Sequence, residues 1–239
     1  MAEKQTKGTL ALFGATGNTG KEMLPLALKA GWKVKAFLRT PSKVADQENL
    51  VKFKGDLKDA DSVAEFLKGC DAVMCLAGGP PGSKVGGPMD GFMVQSVDYI
   101  VKGMKQNSIR RIVLQNGGFT VLPGEAAPGC YVTCCIRDCI VGRCMGWALM
   151  ISENQKIADL LAEESESIDW TLIRAGALGT GESKGKVLHA SDANQKLTFV
   201  DIAAFELEVL EDDETIHKGP FPGYKGKNSA AAPAQVELK

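Results

Sequence analysis

The chain of 239 residues has a formal net charge of −1 at neutral pH, which gives no electrostatic case for nucleic acid or an anionic membrane surface. Its composition, 44% hydrophobic and 24% charged, is ordinary for one soluble globular unit with a sizeable core. No apolar stretch approaches the roughly 20 residues that a membrane helix needs, and residues 1–8 lack the apolar segment of a signal peptide. We therefore expect a cytoplasmic protein with neither a membrane nor a nucleic-acid partner.

The first predicted unit is a strand, a glycine-rich turn and a helix. An apolar run, Leu10–Phe13, leads into glycines spaced G-x-x-G-x-x-G at Gly14, Gly17 and Gly20, and an apolar-periodic segment follows. Such glycines permit a tight turn, close approach of a pyrophosphate and close packing of helix on sheet. The N-terminus of the helix favours an anion at the same place. We therefore predict that a nucleotide pyrophosphate binds at Gly14, Thr16, Gly17, Asn18 and Thr19.

The second predicted strand, Lys33–Leu38, ends in basic and polar residues. Folds that bind NAD usually place an acidic residue here, about 20 residues past the glycine turn, to bind the ribose 2′-hydroxyl. This chain has Arg39, with Lys43 close by. A guanidinium suits a 2′-phosphate, whereas a carboxylate would repel one, so the predicted cofactor is NADP(H). The alternative is that Arg39 is a solvated charge at the end of a loop.

The third predicted strand, Val51–Lys54, runs into a Gly-Asp-Leu turn. Asp56 is placed to accept a hydrogen bond from an adenine amino group, with the backbone of Leu57 alongside. The same aspartate could instead cap the next predicted helix, Asp61–Lys68, and both interpretations stay open. Within that helix, Asp61 or Ser62 is also a plausible cap.

The fourth predicted strand, Ala72–Leu76, is wholly apolar, as expected for a strand buried on both faces of a parallel sheet. The segment that follows, Ala77–Gly91, is too rich in glycine and proline for a regular element. Because ligands bind at the carboxyl ends of such strands, we interpret it as a mobile lip over the cofactor. The small residues Ala77, Gly78 and Gly79 would let the cofactor's ribose approach the backbone.

The remaining elements continue the alternation of helix and strand. The predicted segments are a helix at Phe92–Gln106, a strand at Arg111–Gln115 followed by Asn116 on the ribose side, a mostly helical stretch at Cys130–Glu164 interrupted near Gly142 and Gly146, and a strand at Trp170–Arg174. Weaker patterns predict short strands at Val187–His189 and Lys196–Val200, a helix at Asp201–Leu210 and an extended piece at Ile216–Tyr224. Residues 225–239 have little to bury and are predicted to form a disordered tail.

This alternation predicts the fold class. Six strands with intervening helices indicate an α/β fold with a doubly wound parallel sheet, and strand order 3-2-1-4-5-6 is the default for a chain that opens on this glycine turn. We expect a single domain over residues 1–224 with a small C-terminal subregion on the substrate side.

Five of the seven cysteines lie within Gly129–Trp147, at Cys130, Cys134, Cys135, Cys139 and Cys144. An odd total without a secretion signal argues against a disulfide framework. The i, i+4 spacings would allow a thiol pair or a metal site, but the close C-x-x-C spacing and a nearby histidine are both missing, so we predict no metal. Small apolar helix residues are the favoured interpretation. Redox sensing, with Arg137 and Arg143 lowering a thiol pKa, is the alternative.

Several motifs together resemble one family of enzymes. They are GATGNTG after the first strand, FLRTPSK after the second, GDL after the third, LAGG after the fourth, and KIADLLAEESESIDWTLIRAGAL late in the chain. The chain in this respect is similar to the atypical short-chain dehydrogenases of the NmrA-like and flavin/biliverdin-IXβ reductase type, over roughly Thr9 to Tyr224. The resemblance implies a Rossmann fold and places Lys156, Ala175 and Gly176 at the nicotinamide end, with Lys156 as the candidate catalytic residue.

The chain departs from the usual catalytic pair of that superfamily. A Tyr-x-x-x-Lys pair normally supplies the proton, but Ser152 stands four residues before Lys156, and a serine hydroxyl is too weak an acid to replace a phenol. Neither Tyr99 nor Tyr131 has a lysine four residues later. The family's serine is missing as well, since Gln115–Gly118 contains none. The sequence therefore locates no proton donor.

Two functional hypotheses remain. The leading one is an NADP(H)-dependent reductase of a flat conjugated acceptor such as a flavin or quinone, in which hydride transfer needs little more than proximity. Met145, Trp147 and Met150 would offer the acceptor an apolar surface, although core packing explains them equally well. The alternative is a non-catalytic NADP(H) sensor that acts through a protein partner, as the resemblance to NmrA-like proteins implies. Whether the chain turns over a substrate stays open, and neither His189 nor His217 is assigned a catalytic role.

Overall fold

A six-stranded parallel sheet forms the centre of the protein. The computed structural model describes residues 7–79, 83–126 and 129–225, without the side chains of residues 131 and 133. The strands lie in the order β3-β2-β1-β4-β5-β6, every neighbouring pair is parallel, and the predicted order is confirmed. Their bounds are β1 (Thr9–Phe13), β2 (Lys33–Leu38), β3 (Leu50–Lys54), β4 (Ala72–Cys75), β5 (Arg111–Gly117) and β6 (Asp169–Ala175).

Helices cover both faces of this sheet, because strands that are apolar on both sides need a cover on each. On one face, α1 (Asn18–Lys29) packs beside α5 (Phe199–Leu210). On the other face lie α2 (Ala60–Leu67), α3 (Phe92–Gln106) and α4 (Ala148–Glu163). The result is the Rossmann-like α/β fold that the sequence predicted.

The segment between β5 and α4 contains a π-helix, Tyr131–Cys144, which we call the cysteine helix. It ends where the amide of Met145 bonds the carbonyl of Ile140, and Gly146 follows with a φ of 73°. The predicted interruption near Gly146 is therefore confirmed. The one expected near Gly142 is wrong, since that glycine is buried within the helix.

Two small sheets form the predicted C-terminal subregion. Strand β7 (Leu178–Gly179) pairs with β9 (Leu197–Thr198), and β8 (Val187–Ala190) pairs with β10 (Phe221–Tyr224). Asp201, in the first turn of α5, ties this region together by accepting hydrogen bonds from the hydroxyls of Ser183 at 2.5 Å and Tyr224 at 2.6 Å. Its role is structural.

Some local predictions need correction or lie outside the structure. Asp59 is the cap of α2, since its Oδ1 accepts from the amides of Asp61 and Ser62, so neither Asp61 nor Ser62 is the cap. The tail, residues 226–239, lies outside the described residues, as do residues 80–82 of the predicted lip. Across the described ranges, none of the helices is both long and apolar enough to cross a membrane.

Candidate cofactor and substrate site

The glycine turn between β1 and α1 has the geometry of a phosphate cradle. Gly14 has a φ of 85°, and a Cβ there would lie 2.6 Å from the carbonyl carbon of Leu76. A Cβ at Gly20 would lie 2.1 Å from the oxygen of Gly14, so the helix packs closely on the turn. Glycine is therefore required at both positions.

The same turn leaves the N-terminus of α1 open to a ligand. Gly17 occupies the N-cap position without a side chain to satisfy the first amides, and no acidic residue lies in the first turn. Of the predicted ligands, Thr16, Gly17 and Asn18 are exposed, whereas Thr19 is buried. Unpaired amides and the helix dipole together favour an anion here.

The end of β2 presents an exposed Arg39, as the sequence predicted. In the described part of the chain, neither a hydrogen bond nor an ion pair engages its guanidinium. At the end of β3, Asp56 is also exposed, and its Oδ1 accepts from the amide of Lys58 at 3.0 Å. Because Asp59 caps α2, the capping interpretation of Asp56 is wrong. Its other carboxylate oxygen stays open to an adenine amino group, next to the half-buried Leu57.

A cavity of about 1720 Å³ lies beyond the carboxyl ends of β4, β5 and β6. Leu76 lines this cavity and its backbone contacts Gly14, so the cavity lies next to the glycine turn. The cavity brings together six of the predicted cofactor residues, namely Ala77, Gly78, Gly79, Asn116, Ala175 and Gly176. Its position is where doubly wound folds bind ligands.

The outer wall of the cavity is apolar. It includes Met145, Trp147 and Met150, whose exposed fractions are 51%, 46% and 44%. These side chains are not core residues, so the core-packing interpretation does not hold for them. Large exposed apolar side chains grouped at a cavity are typical of a binding surface.

The opposite side of the cavity is held by Arg174, at the end of β6. Its guanidinium is buried and forms a bidentate ion pair with Glu125, at 2.6 and 2.8 Å. It also lies 3.9 Å from the centre of the Phe221 ring. This clasp fixes the loop after β5 and β10 against the sheet.

Asn116, predicted on the ribose side, and Lys156, predicted at the nicotinamide end, differ in their surroundings. The amide side chain of Asn116 is buried, donates to the carbonyl of Asn154 and accepts from Thr120 and from the amide of Gly117, so its polar atoms are used within the protein. Lys156 is exposed on α4, three residues after a buried acid that the sequence analysis missed.

That acid is Glu153, a buried residue of α4 that lines the cavity. Its Oε1 accepts from the amide of Met93 at 3.1 Å, and its Oε2 lies 3.9 Å from the ideal Cβ position of Gly79. Burial raises the pKa of the Glu153 carboxyl, although hydrogen bonds from backbone amides and the charge of Lys156 oppose this shift. A carboxyl whose pKa is raised is better suited to act as a general acid than an exposed one.

The two tyrosines whose side chains the structure describes do not act as a proton donor at this site. Tyr224 donates to Asp201 in the C-terminal subregion, and Tyr99 packs against the core on α3. No tyrosine with a described side chain lines the cavity. In the described ranges there is also no group of three or more side chains that could hold a metal ion.

Comparison with known proteins identifies the family. The model of a family described as NAD(P)H-binding matches residues 14–213, which span the glycine turn and five of the six central strands, from β2 to β6. The chain belongs to this NAD(P)H-binding family. A nicotinamide cofactor is therefore established, and the resemblance found in the sequence is confirmed.

Curated relatives match over most of their length. An oxidoreductase from Pestalotiopsis microspora is 25% identical over 233 residues, which cover 86% of this chain and 80% of the relative. A Bacillus subtilis protein without an assigned function is 25% identical over 214 residues, which cover 86% of this chain and 93% of the relative.

Solved structures share the fold. An anaerobillin reductase from Escherichia coli O157:H7 has a TM-score of 0.67 and 20% identity, with 95% of this chain and 100% of that chain covered. An oxidoreductase from Lactococcus lactis has a TM-score of 0.72 and 19% identity, with 92% of both chains covered. At these identities the likeness shows the fold alone.

Proposed function

We propose that this protein is an NADPH-dependent reductase of a flat conjugated acceptor of the flavin or quinone type. The observation that supports it most is the apolar cavity next to the glycine turn, where Trp147 is half exposed. Ligand pockets usually measure about 300–1,000 Å³. A cavity of about 1720 Å³ has room for a nicotinamide and a second ring system side by side. The oxidoreductase names of curated relatives agree with this class of reaction.

The preference for NADPH rests on the charge at the end of β2. Arg39 is exposed, and no acidic residue among the described neighbours pairs with it, so a 2′-phosphate would find a cationic partner there. Thr40, Ser42 and Lys43 follow in the next turn and would add donors. The amides at the N-terminus of α1 would hold the pyrophosphate.

The chemistry needs a hydride and a proton on the acceptor. The bound nicotinamide supplies the hydride, and the missing Tyr-x-x-x-Lys pair must be replaced by another proton source. We propose that Glu153 delivers this proton, since it is buried, lines the cavity and keeps its proton more tightly than an exposed glutamate. Lys156 and the backbone near Ala175 and Gly176 would position the nicotinamide end.

The test is NADPH consumption with FMN, riboflavin and a simple quinone as acceptors. We compare the wild type with Arg39→Ala and with Lys33→Ala, which removes an exposed cation from the other end of β2. Loss of a charged hydrogen bond worth about 1.5–3 kcal/mol should raise the KM for NADPH about tenfold to hundredfold in Arg39→Ala alone. The KM for NADH should not change. NADPH binding without oxidation by any acceptor would overturn the reductase and favour a sensor.

A further inference from the structure

A pair of thiols that the proposed reaction does not use lies at the N-terminal end of the cysteine helix, where Cys130 is the N-cap residue. Cys130 and Cys134 are both exposed, and the Sγ of Cys130 donates a hydrogen bond to the Sγ of Cys134 at 3.4 Å. A separation of about 3–3.5 Å is the distance at which reacting atoms are ready to form a bond. The two sulfurs are therefore placed to react with each other once one of them is activated.

The surroundings assign different roles to the two thiols. The hydrogen bond to Cys134 raises the pKa of Cys130, so Cys130 keeps its proton while its partner accepts. Arg137 lies one turn further along the helix and forms an ion pair with Asp138 at 2.7 Å. This ion pair is the main cause of the raised pKa of Arg137, and the nearby Cys134 raises it further. Cys134 is thus the acceptor of the thiol hydrogen bond and lies near the Arg137–Asp138 ion pair, so we assign it the attacking role.

The other cysteines provide the contrast. Cys70 and Cys75 are buried, and burial raises the pKa of Cys75 to about 11, which keeps that thiol inert. Cys135 and Cys139 have the same i, i+4 spacing as the pair, yet no sulfur contact joins them among the described residues. Since the described ranges also hold no group of three metal-ligating side chains, the pair does not belong to a metal site.

We infer that Cys130 and Cys134 form a thiol–disulfide exchange site for low-molecular-weight disulfides, with Cys134 as the attacking and Cys130 as the resolving thiol. The thiolate of Cys134 attacks one sulfur of the small disulfide, forms a mixed disulfide and releases one small thiolate. The thiol of Cys130 then gives up its proton and attacks the Cys134 sulfur, releasing the second small thiol. The protein loses two electrons and two protons, and the small disulfide is reduced to two thiols.

The product would change the wall of the cavity. Side chains one turn apart on a helix have Cβ atoms about 5–6 Å apart, whereas a disulfide needs about 3.5–4.5 Å. Oxidation must therefore draw this turn together, and a strained, exposed disulfide is readily reduced again. Val132 and Val141 of the same helix line the cavity, so its apolar wall responds to the state of the pair.

The experiment treats the reduced full-length protein with oxidised glutathione and follows intact mass and peptide maps over time. In the wild type we expect a protein lighter by two hydrogens, with the bond between Cys130 and Cys134. The Cys130→Ser variant should instead accumulate a glutathione adduct on Cys134. Cys134→Ser should react about tenfold more slowly. The matched control, Cys135→Ser with Cys139→Ser, should behave as the wild type does.

Three results would overturn this site. One is a lasting glutathione adduct on Cys134 in the wild type, which would show that Cys130 does not resolve it. Another is an equal reaction rate in Cys134→Ser and the wild type. The third is loss of the reaction in the double control variant, which would show that Cys135 and Cys139 are the reactive thiols. None of these readouts depends on reductase activity.

Discussion

At the scale of single residues, Glu153 is the side chain on which the proposed proton transfer depends. Glu153 stands three residues before Lys156 in the sequence. The catalytic pattern of the superfamily has a tyrosine four residues before the lysine, so it does not point to this glutamate. Only the packing of α4 against the start of α3 shows that this glutamate is buried and faces the cavity. Burial cannot be deduced from the identity of a residue that is normally exposed.

The variant Glu153→Gln should lower kcat with a quinone acceptor about a hundredfold, because a general acid is lost while the shape is kept. The KM for NADPH should change little. In the wild type, kcat should be highest at low pH and should fall as pH rises through the raised pKa of Glu153. In Glu153→Gln, kcat should not show this pH dependence. Pre-steady-state rates of both proteins across a pH series measure this pH dependence. His189→Gln, at the edge of the same cavity, is the control, and an unchanged pH profile in Glu153→Gln would contradict the role.

Glu206 gives a prediction about stability. This residue of α5 is fully buried, and neither of its carboxylate oxygens has a hydrogen-bond partner among the described residues. Burial raises its pKa well above the usual value. A carboxyl that binds its proton more tightly in the folded state than in the unfolded state stabilises the folded state. This contribution is fully present below the ordinary glutamate pKa and is lost as pH rises through the raised pKa.

Glu206→Met should therefore raise the free energy of unfolding at mildly alkaline pH by about 1–3 kcal/mol and flatten its decline with pH. Urea unfolding at several pH values gives the measurement. Glu208→Met, at an exposed position of the same helix, should not alter the pH dependence. A parallel decline in the wild type and Glu206→Met would show that another group titrates.

At the scale of elements, the unit of β1, glycine turn and α1 is the proposed binding place of the cofactor pyrophosphate. Gly20→Ala places a Cβ where the Gly14 oxygen lies, at 2.1 Å, so the turn must open. We expect a loss of about 1–3 kcal/mol in stability and a weaker affinity for NADPH. Thermal unfolding and a fluorescence titration measure the two effects. Glu22→Ala, in the same turn of α1, should leave both nearly unchanged, and tight NADPH binding by Gly20→Ala would refute the cradle.

The same scale shows what sequence patterns can and cannot predict. The six strands of the central sheet were predicted within about two residues because most are short apolar runs between polar turns, and the glycine spacing indicated the first crossover. Strand β7 was not predicted, and β10 begins five residues later than the predicted extended piece. The prediction of the α2 cap was wrong because an aspartate at position 59 or 61 can equally well cap a helix. Only the extended backbone of Asp59 shows which of the two is the cap. The cysteine helix was predicted as helical, but its wider π geometry leaves no clear trace in hydrophobic spacing.

At the scale of the whole molecule, the cavity lies between the sheet edge and the segment that contains the cysteine helix. No single stretch of sequence contains it, since its lining comes from the segment after β4, from β5, β6 and α4, and from the C-terminal subregion. The sequence therefore allowed a prediction of the cofactor half of the site, while the substrate half could be described only from the assembled fold. The apolar role suggested for Met145, Trp147 and Met150 agrees with their exposure on this wall.

The aromatic wall yields a prediction about acceptor binding. Trp147→Ala should raise the KM for FMN about twofold to tenfold, since an aromatic stacking contact contributes about 0.5–1.5 kcal/mol. The KM for NADPH should stay the same, because the cofactor turn lies apart from this wall. Trp147→Phe keeps a ring and should restore most of the affinity. Equal KM values for FMN in the wild type, Trp147→Ala and Trp147→Phe would show that Trp147 does not bind the acceptor.

The central claim is that hydride passes from bound NADPH to a flat acceptor inside this cavity, and a single-turnover experiment tests it most directly. Protein saturated with NADPH is mixed with FMN or a simple quinone in the absence of oxygen, and nicotinamide fluorescence and acceptor absorbance are followed together. The account predicts that one NADPH is oxidised for each acceptor reduced, at a rate that saturates with acceptor concentration. Persistent NADPH fluorescence with every acceptor, despite tight cofactor binding, would contradict it.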